Sequence, residues 1–192
     1  MSRRTLGTIL ALAAVTLIVG IAVAALNTAI PNSTLPLQDV AVIRQQAAAE
    51  HLDPALIAAV IYAESKFEPR ESSAGAQGLM QILPTTAYYL AHLSGGTRFT
   101  ASDLARPEIN VAYGSYYLRY LLNHYEGDEM LAVAAYNGGL ANVDRWVARA
   151  QEGGQQLTVA TIPFPETREY VSRVLSAQRA YRETYSQQLG PQ

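Results

Sequence analysis

From Asp39 onward, apolar side chains recur mostly three or four positions apart, the spacing that places them on one face of a helix. The first such segment is expected to end near His51, and a last helix, after Pro165, carries tyrosine and apolar residues on one face. Further helices are predicted over residues 84–93, 110–124 and 129–135, with a short one over 145–150. No run of residues alternates in the manner of a strand, so the expected fold class is all-α.

One helix is predicted to be buried on every side. Asp53-Pro54 marks its start, because aspartate accepts a backbone hydrogen bond at the N-cap and proline suits the first helical turn. The nine residues that follow, 55–63, are apolar around the whole circumference of the helix, which is typical of a helix in a protein interior. The residue that comes directly after them is Glu64.

Glu64 continues the apolar stripe of this helix, with Val60 four residues and Leu56 eight residues before it. Burial disfavours the charged form of a carboxyl group and so raises its pKa. A carboxyl group that keeps its proton near neutral pH can act as a general acid, a role worth about 10²–10⁴-fold in rate. The alternative is a glutamate at a fraying helix end, solvated or paired with Lys66 or Arg70, and the spacing alone favours neither interpretation.

The first thirty-eight residues have a different pattern. Arg3 and Arg4 are followed by a long stretch without charge, and the segment from Leu6 to Leu26 is almost wholly apolar. As a helix, its 21 residues would span roughly 32 Å, the thickness of a bilayer core. We therefore interpret residues 1–30 as a transmembrane helix or a cleaved signal peptide, 31–38 as a linker and 39–188 as the folded domain. Either interpretation exports the domain, since the arginines stay on the cytoplasmic side.

The composition narrows the classes of function. Of the 192 residues, 49% are hydrophobic and 16% are charged, which excludes intrinsic disorder. The chain has no cysteine, so disulfide scaffolds, thiolate-bound zinc and cysteine nucleophiles are excluded. A net charge of −2 argues against nucleic-acid binding. The three histidines share no metal-binding spacing, so we expect no metal and no cofactor. We also expect the chain to be a monomer.

Four segments of the chain resemble the signature of soluble-type lytic transglycosylases, enzymes that cleave the glycan strands of peptidoglycan. They are Glu64-Ser65-Lys66-Phe67-Glu68-Pro69 with residues 72–87, then residues 110–118, then Ala134-Ala135-Tyr136-Asn137-Gly138-Gly139, and finally residues 165–171. The segments occur in the family's order and cover about residues 40–185. The resemblance implies a lysozyme-like helical fold of the goose type, a peptidoglycan substrate and a place in the cell envelope.

The resemblance also implies roles for single residues. Glu64 would be the sole catalytic acid and base at the bond between N-acetylmuramic acid and N-acetylglucosamine, giving a 1,6-anhydromuramyl product without consuming water. Most glycosidases instead use two carboxylates. The residues expected to bind substrate or to orient Glu64 are Met80, Gln81, Tyr136, Asn137, Glu166 and one of the two serines Ser72 and Ser73. Both serines stay open, because the stretch after Pro69 is one residue shorter than is usual in the family.

Several of these residues also have a purely structural interpretation. Tyr136 and Asn137 suit the capping and packing of a helix junction, and Glu166 suits the first turn of a helix, where the helix dipole favours an acid. Met80 is as well explained by core packing as by sugar contact. Asn110 is expected to fix a loop or a helix start rather than to touch substrate. Most of the 12 tyrosines are expected in the core, with their hydroxyl groups reaching the surface.

Two other functions remain open from the sequence. The first is a hydrolytic muramidase on the same fold, which would need a second acid to activate water, and Glu166 is the best candidate. The second is a glycan-binding module with weak catalysis. The presence together of the acid, the glutamine and the tyrosine favours the transglycosylase.

Overall fold

Seven α-helices account for most of residues 35–95 and 98–190, the part of the chain that the computed structural model describes. They are α1 (Val40–Glu50), α2 (Pro54–Ser65), α3 (Pro84–Leu93), α4 (Pro107–His124), α5 (Glu129–Gly138), α6 (Leu140–Glu152) and α7 (Pro165–Leu189). Two 3₁₀ turns cover Ala101–Ala105 and Val159–Thr161. Proline stands in the first turn of α2, α3, α4 and α7, where its missing N–H costs no helix hydrogen bond. The predicted helical class is confirmed.

Three predicted helices are longer in the structure, among them α5, which was predicted to end at residue 135 and ends at Gly138. The fourth helix begins at Pro107, three residues earlier than the spacing indicates. Helix α6 begins at Leu140, where the sequence predicts a loop before a short helix over 145–150. Gly139 has a φ of 83°, which lets one residue end α5 and start α6. The buried side chains of Val143 and Trp146 then hold α6 to the core.

A two-stranded antiparallel ladder lies between α2 and α3 and is the part of the fold that the sequence did not predict. Strand β1 (Arg70–Glu71) pairs with β2 (Gln77–Gly78), with Arg70 opposite Gly78. Two residues per strand are too few to display alternation, which explains why no strand pattern was visible. The ladder matters because it carries the chain from the end of α2 to the start of α3.

Helix α2 forms the centre of the fold and packs chiefly against α7. Every residue from Pro54 to Ile61 is buried, as its apolar sequence predicts. Asp53 caps the helix through Oδ1, which accepts from the backbone N–H of Ala55 at 2.8 Å. The other carboxylate oxygen accepts from Gln178 Nε2 at 2.9 Å and from Arg182 Nε at 2.7 Å, both on α7. The cap therefore fixes the start of α2 to the last helix.

The chain before α1 also contacts α7. Leu35 is buried, the Tyr181 hydroxyl donates to the carbonyl of Pro36 at 2.6 Å, and the Tyr185 hydroxyl donates to the carbonyl of Leu35 at 2.7 Å. The predicted anchor or signal peptide, residues 1–30, lies outside the described residues, and the domain limits stay a prediction. None of the helices within the described ranges is both long enough and apolar enough to cross a bilayer.

Candidate active site

Glu64 lies in the last turn of α2, where the chain makes a sharp turn. The two residues at positions 66 and 67 have left-handed backbone conformations, with φ of 54° for Lys66 and 66° for Phe67. Such conformations cost on the order of 1–3 kcal/mol each for residues other than glycine. Phe67 is buried, and its ring lies 6.4 Å from that of Tyr181, so core packing offsets the strain. The turn leaves Glu64 half-buried at the edge of the core.

The carboxyl group of Glu64 accepts a hydrogen bond from the hydroxyl of Tyr170, at 2.7 Å between Tyr170 Oη and Glu64 Oε1. Tyr170 is on α7 and is buried. The sequence places it on the packed face of the last helix and gives it no site role. A buried tyrosine hydroxyl needs a polar partner, but a partner 106 residues away in the chain leaves no local signal.

Burial raises the pKa of Glu64 from 4.5 to about 7. The hydrogen bond from Tyr170 and the charges of Arg173 and Arg70 lower this pKa, and they offset only part of the effect of burial. Arg70 uses Nη2 to donate to the backbone carbonyl of Glu64 at 3.1 Å. A large share of Glu64 is therefore protonated at neutral pH. Of the two interpretations that the spacing left open, the structure favours the desolvated acid.

Tyr136 lies beside this pair but bonds to a different partner. Its hydroxyl donates to the backbone carbonyl of Met80 at 2.9 Å, whereas the bond to the carboxyl group comes from Tyr170. Burial raises the pKa of Tyr136 well above 10, and the charge of Glu64 raises it further. Tyr136 therefore stays protonated, and its bond fixes the backbone that precedes Gln81.

The side chain of Met80 is fully buried and packs against Gly114, where a Cβ atom would overlap the thioether. The expected sugar contact does not fit this burial, and core packing, the other interpretation of Met80, accounts for it. Gln81 is half-buried, with a φ of 48°. Its Nε2 donates to the carbonyls of Arg70 at 2.8 Å and Gly78 at 2.9 Å. Gln81 thus holds the two strands of the ladder together through one hydrogen bond to each strand.

Asn110 fixes the same loop from α4. It is fully buried, and its Oδ1 accepts from the backbone N–H of Met80 at 2.8 Å. Its Nδ2 donates to the carbonyls of Gln77 at 2.8 Å and Leu104 at 3.1 Å. The expected loop-fixing role of Asn110 is confirmed by these three bonds. Gly78 makes them possible, because a Cβ there would overlap the Asn110 amide.

The two serines lie in the loop between the strands. Ser72 closes this loop, since its Oγ accepts from the backbone N–H of Ala76 at 3.0 Å and its own N–H donates to the Ala76 carbonyl at 2.8 Å. Ser73 is exposed. Ser72 Oγ keeps its proton for a further acceptor, because it acts as an acceptor in the loop.

Asn137 and Glu166 lie at the junction of α5 and α7. Asn137 Oδ1 accepts from Thr167 Oγ1 at 2.8 Å, which ties the end of α5 to the first turn of α7. Glu166 is exposed in that first turn. Asn137 thus makes a bond of the structural kind. Among the described residues, no three histidine, cysteine, aspartate or glutamate side chains come together as a metal site.

A family model for the transglycosylase SLT domain matches residues 41–159. The chain belongs to this family. The soluble lytic murein transglycosylase of Salmonella typhimurium is 35% identical to this chain over 127 residues. The matched residues make up 65% of this chain and 20% of that protein. Membrane-bound lytic murein transglycosylase C of Salmonella paratyphi B is 33% identical over 165 residues, covering 74% of this chain and 46% of that protein. The chain thus spans from a fifth to less than half of these relatives.

Solved structures share the fold of this SLT domain. The lytic transglycosylase Slt of Pseudomonas aeruginosa, solved as an inactive glutamate-to-glutamine mutant, matches with a TM-score of 0.70 and 32% identity over 78% of this chain and 24% of that one. The 70 kDa soluble lytic transglycosylase of Escherichia coli matches with a TM-score of 0.73 and 29% identity over 78% of this chain and 25% of that one. The expectation that this is a lytic transglycosylase fold is confirmed.

Proposed function

We propose that this SLT domain, with a goose-type lysozyme-like fold, is a peptidoglycan lytic transglycosylase. It cleaves the β-1,4 bond between N-acetylmuramic acid and N-acetylglucosamine and leaves a 1,6-anhydromuramyl end. The observation that carries the proposal is the half-buried Glu64, whose pKa of about 7 leaves it able both to give and to take a proton near neutral pH.

The reaction needs two proton transfers, and Glu64 makes both. The protonated acid gives its proton to the glycosidic oxygen as the bond to the muramyl C1 breaks. The resulting carboxylate then takes the proton of the muramyl C6 hydroxyl, whose oxygen attacks C1 and closes the anhydro ring. Glu64 ends protonated, and no water is consumed. Both charged side chains that act on the pKa of Glu64 are arginines, Arg173 and Arg70, which supports a mechanism with a single acid.

Other residues of the site hold Glu64 and the sugar. Tyr170 orients the carboxyl group through its 2.7 Å bond and donates to it in either protonation state. Gln81 uses Nε2 to hold the ladder, which leaves Oε1 as the atom that would accept from a sugar hydroxyl. Ser72 or Ser73 bonds near the reacting sugar. Glu166, exposed in the first turn of α7, positions substrate, and Asn137 holds that turn through its bond to Thr167.

The names of the relatives support the same reaction. Relatives from three genera are named as lytic transglycosylases, and the Pseudomonas aeruginosa mutant with glutamine in place of glutamate is described as inactive. A 70 kDa soluble lytic transglycosylase has also been solved in complex with bulgecin A. One relative is membrane-bound. We extend the proposal to an exported, monomeric domain over residues 39–188, tethered or secreted through residues 1–30.

Analysis of the products tests this function. Purified sacculi digested by the full chain should release muropeptides with anhydromuramyl ends, which mass spectrometry distinguishes because they are one water lighter than reducing ends. Only reducing ends would identify a hydrolytic muramidase instead. Binding to sacculi without any released fragment would identify a glycan-binding module. Either result would overturn the transglycosylase.

The pH profile gives a second test. We expect kcat/KM to fall as the pH rises through about 7, because the raised pKa of Glu64 sets the loss of the protonated acid. Well above pH 7, the rate should fall about tenfold for each pH unit. The measurement is kcat/KM on soluble glycan fragments, which reports on the free enzyme. A profile that stays flat from pH 5 to pH 9 would contradict the role of Glu64 as general acid.

Tyr170→Phe tests the hydroxyl that the sequence did not predict. Because the Tyr170 hydrogen bond lowers the pKa of Glu64, its removal should raise that pKa above 7 and move the alkaline limb of the profile to higher pH. The loss of orientation should lower kcat about tenfold. Tyr136→Phe is the matched control. It removes a hydroxyl that is bonded to a backbone carbonyl, so the alkaline limb of its pH profile should stay at the same pH as in the parent. Equal limbs in all three proteins would contradict the assignment.

A further inference from the structure

Two arginine side chains lie close to Glu64 and come from separate elements. Arg70 is on β1, and its Nη2 donates to the backbone carbonyl of Glu64 at 3.1 Å. Arg173 is on α7, three residues after Tyr170, so it lies one turn along the face from which the Tyr170 hydroxyl bonds to Glu64. Both arginines are exposed. The solvent side of the candidate site therefore carries two cations.

Neither of these arginines forms an ion pair with an acid in the part of the chain that the structure describes. The ion pairs found there are formed by Arg182 and His124. Glu169 precedes Arg173 by one turn of α7 and is not paired with it. Glu64 holds a proton over much of the neutral range, because burial raises its pKa to about 7. The two guanidinium groups are thus open to an anion that arrives with the substrate.

The proposed substrate carries such an anion next to the carbon atom that reacts. N-acetylglucosamine is neutral, whereas N-acetylmuramic acid bears a lactyl ether on C3, two ring bonds from the C1 at which the glycosidic bond breaks. The lactyl carboxyl group is ionised at neutral pH when the strand carries no peptide. When a peptide is attached there, the first free carboxylate follows within that peptide. A muramyl unit with its C1 at Glu64 therefore brings a carboxylate towards the two arginines.

Guanidinium groups suit this ligand in geometry as well as in charge. The planar fork of an arginine donates two parallel N–H bonds to a carboxylate, which a lysine does not. Arg70 uses Nη2 for the Glu64 carbonyl and has further N–H groups on the same fork. A neutral sugar hydroxyl would gain much less from either arginine, since hydrogen bonds between two charged groups are about twice as strong as neutral ones.

We propose that Arg70 and Arg173 form a carboxylate clamp, which binds the carboxylate carried on the lactyl arm of the muramyl unit at Glu64. The inference rests on the proposed function for the identity of that sugar. The clamp determines specificity: it selects a muramyl unit over N-acetylglucosamine on the C1 side of the bond to be cleaved. Only the muramyl unit has an acid for the two arginines to bind.

The test measures binding by isothermal titration calorimetry to the full chain carrying Glu64→Gln. This protein cleaves nothing and has no titrating carboxyl group at position 64, so a change in affinity cannot arise through the pKa of Glu64. Three tetrasaccharides serve as probes. They are neutral chitotetraose, alternating N-acetylglucosamine and N-acetylmuramic acid with free lactyl carboxylates, and the same muramyl sugar with an alanyl-glutamate dipeptide on each lactyl group.

Arg173→Gln should weaken the binding of at least one muramyl probe about tenfold or more, because a hydrogen bond to a charged group contributes roughly a factor of ten or more. Chitotetraose binding should stay within about twofold. A loss with the peptide-free probe alone would assign the clamp to the lactyl carboxylate, and a loss with the dipeptide probe alone would assign it to the peptide. Arg173→Lys, which keeps the charge without the fork, should lose less than Arg173→Gln.

Arg70→Gln should give the same pattern as Arg173→Gln. If it weakened chitotetraose binding equally, Arg70 would hold the site through its bond to the Glu64 carbonyl, and the clamp with two arginines would be wrong.

The matched control is Arg179→Gln. Arg179 is also an exposed arginine of α7, six residues after Arg173, and its charge is not among those that act on Glu64. This variant should bind all three probes as the parent does. Equal losses from Arg173→Gln and Arg179→Gln would reduce the effect to the general attraction of a positive surface. That result, or an Arg173→Gln variant that binds both muramyl probes as the parent does, would overturn the clamp.

The two proposals fail separately. Anhydromuramyl products from sacculi, together with unchanged binding of the muramyl probes by Arg173→Gln, would leave the transglycosylase in place and remove the clamp. Binding of a muramyl probe that needs Arg173, without anhydromuramyl products, would leave a muramyl-binding site in place and remove the transglycosylase.

Discussion

Glu64→Gln is expected to lower the release of anhydromuramyl fragments from sacculi by roughly 10²–10⁴-fold. The amide keeps the size of the side chain and can still accept the hydrogen bond of Tyr170. It has no acidic proton for the glycosidic oxygen and no basic oxygen for the muramyl C6 hydroxyl, so both proton transfers are lost together. Fragment release as fast as that of the parent would contradict the role of Glu64.

The same substitution should make the fold more stable above neutral pH. Because the pKa of Glu64 is raised from 4.5 to about 7, its favourable contribution is present below pH 4.5 and is lost as the pH rises through 7. The ionised side chain at pH 8 then costs up to about 3 kcal/mol relative to the low-pH state. The glutamine variant lacks this loss, so urea unfolding should find it more stable than the parent at pH 8 and similar to it at pH 4. A variant that is inactive and also less stable at pH 8 would indicate a structural role instead.

The sequence predicted the helix that carries Glu64 because the relevant interactions are local. Asp53-Pro54 and the apolar run after it specify where α2 begins and that it is buried, whatever packs around it. The position of the acid follows from the end of that run, so spacing and capping are enough to find it. Spacing leaves its desolvation open, because that depends on the packing around the end of the helix.

The partners of Glu64 depend instead on how distant helices pack. Tyr170 and Tyr136 are both tyrosines near helix ends, and no local pattern tells which hydroxyl meets the carboxyl group and which meets the Met80 carbonyl. Met80 faces the core because Gly114, on α4, leaves room for its thioether. The short β1–β2 ladder also depends on residues outside its own sequence, since the side chains of Gln81 and Asn110 donate hydrogen bonds to its backbone carbonyls.

Asn110→Ala is expected to lower the free energy of unfolding by about 3–6 kcal/mol. Its three bonds serve the N–H of Met80 and the carbonyls of Gln77 and Leu104, and an unpaired buried backbone group costs about 1–3 kcal/mol. This is a large share of the free energy of unfolding of a typical domain, which is only about 5–15 kcal/mol. The measurement is urea unfolding followed by circular dichroism. The control is Asn123→Ala, an exposed asparagine on the same helix, which should change stability by less than about 0.5 kcal/mol.

Asn110→Asp separates the role of the side-chain oxygen, which accepts a hydrogen bond, from that of the side-chain nitrogen, which donates two. The new carboxyl group still accepts from the Met80 N–H, but as a carboxylate it faces the two carbonyls to which Nδ2 now donates. Burial and these carbonyls favour its protonated form, which can donate to one of them. Its pKa is therefore raised on folding, so this variant should gain stability relative to Asn110→Ala as the pH falls and lose that gain as the pH rises. If both variants unfolded at the parent's urea concentration, the loop below Glu64 would not depend on Asn110, and the position of Gln81 would need another cause.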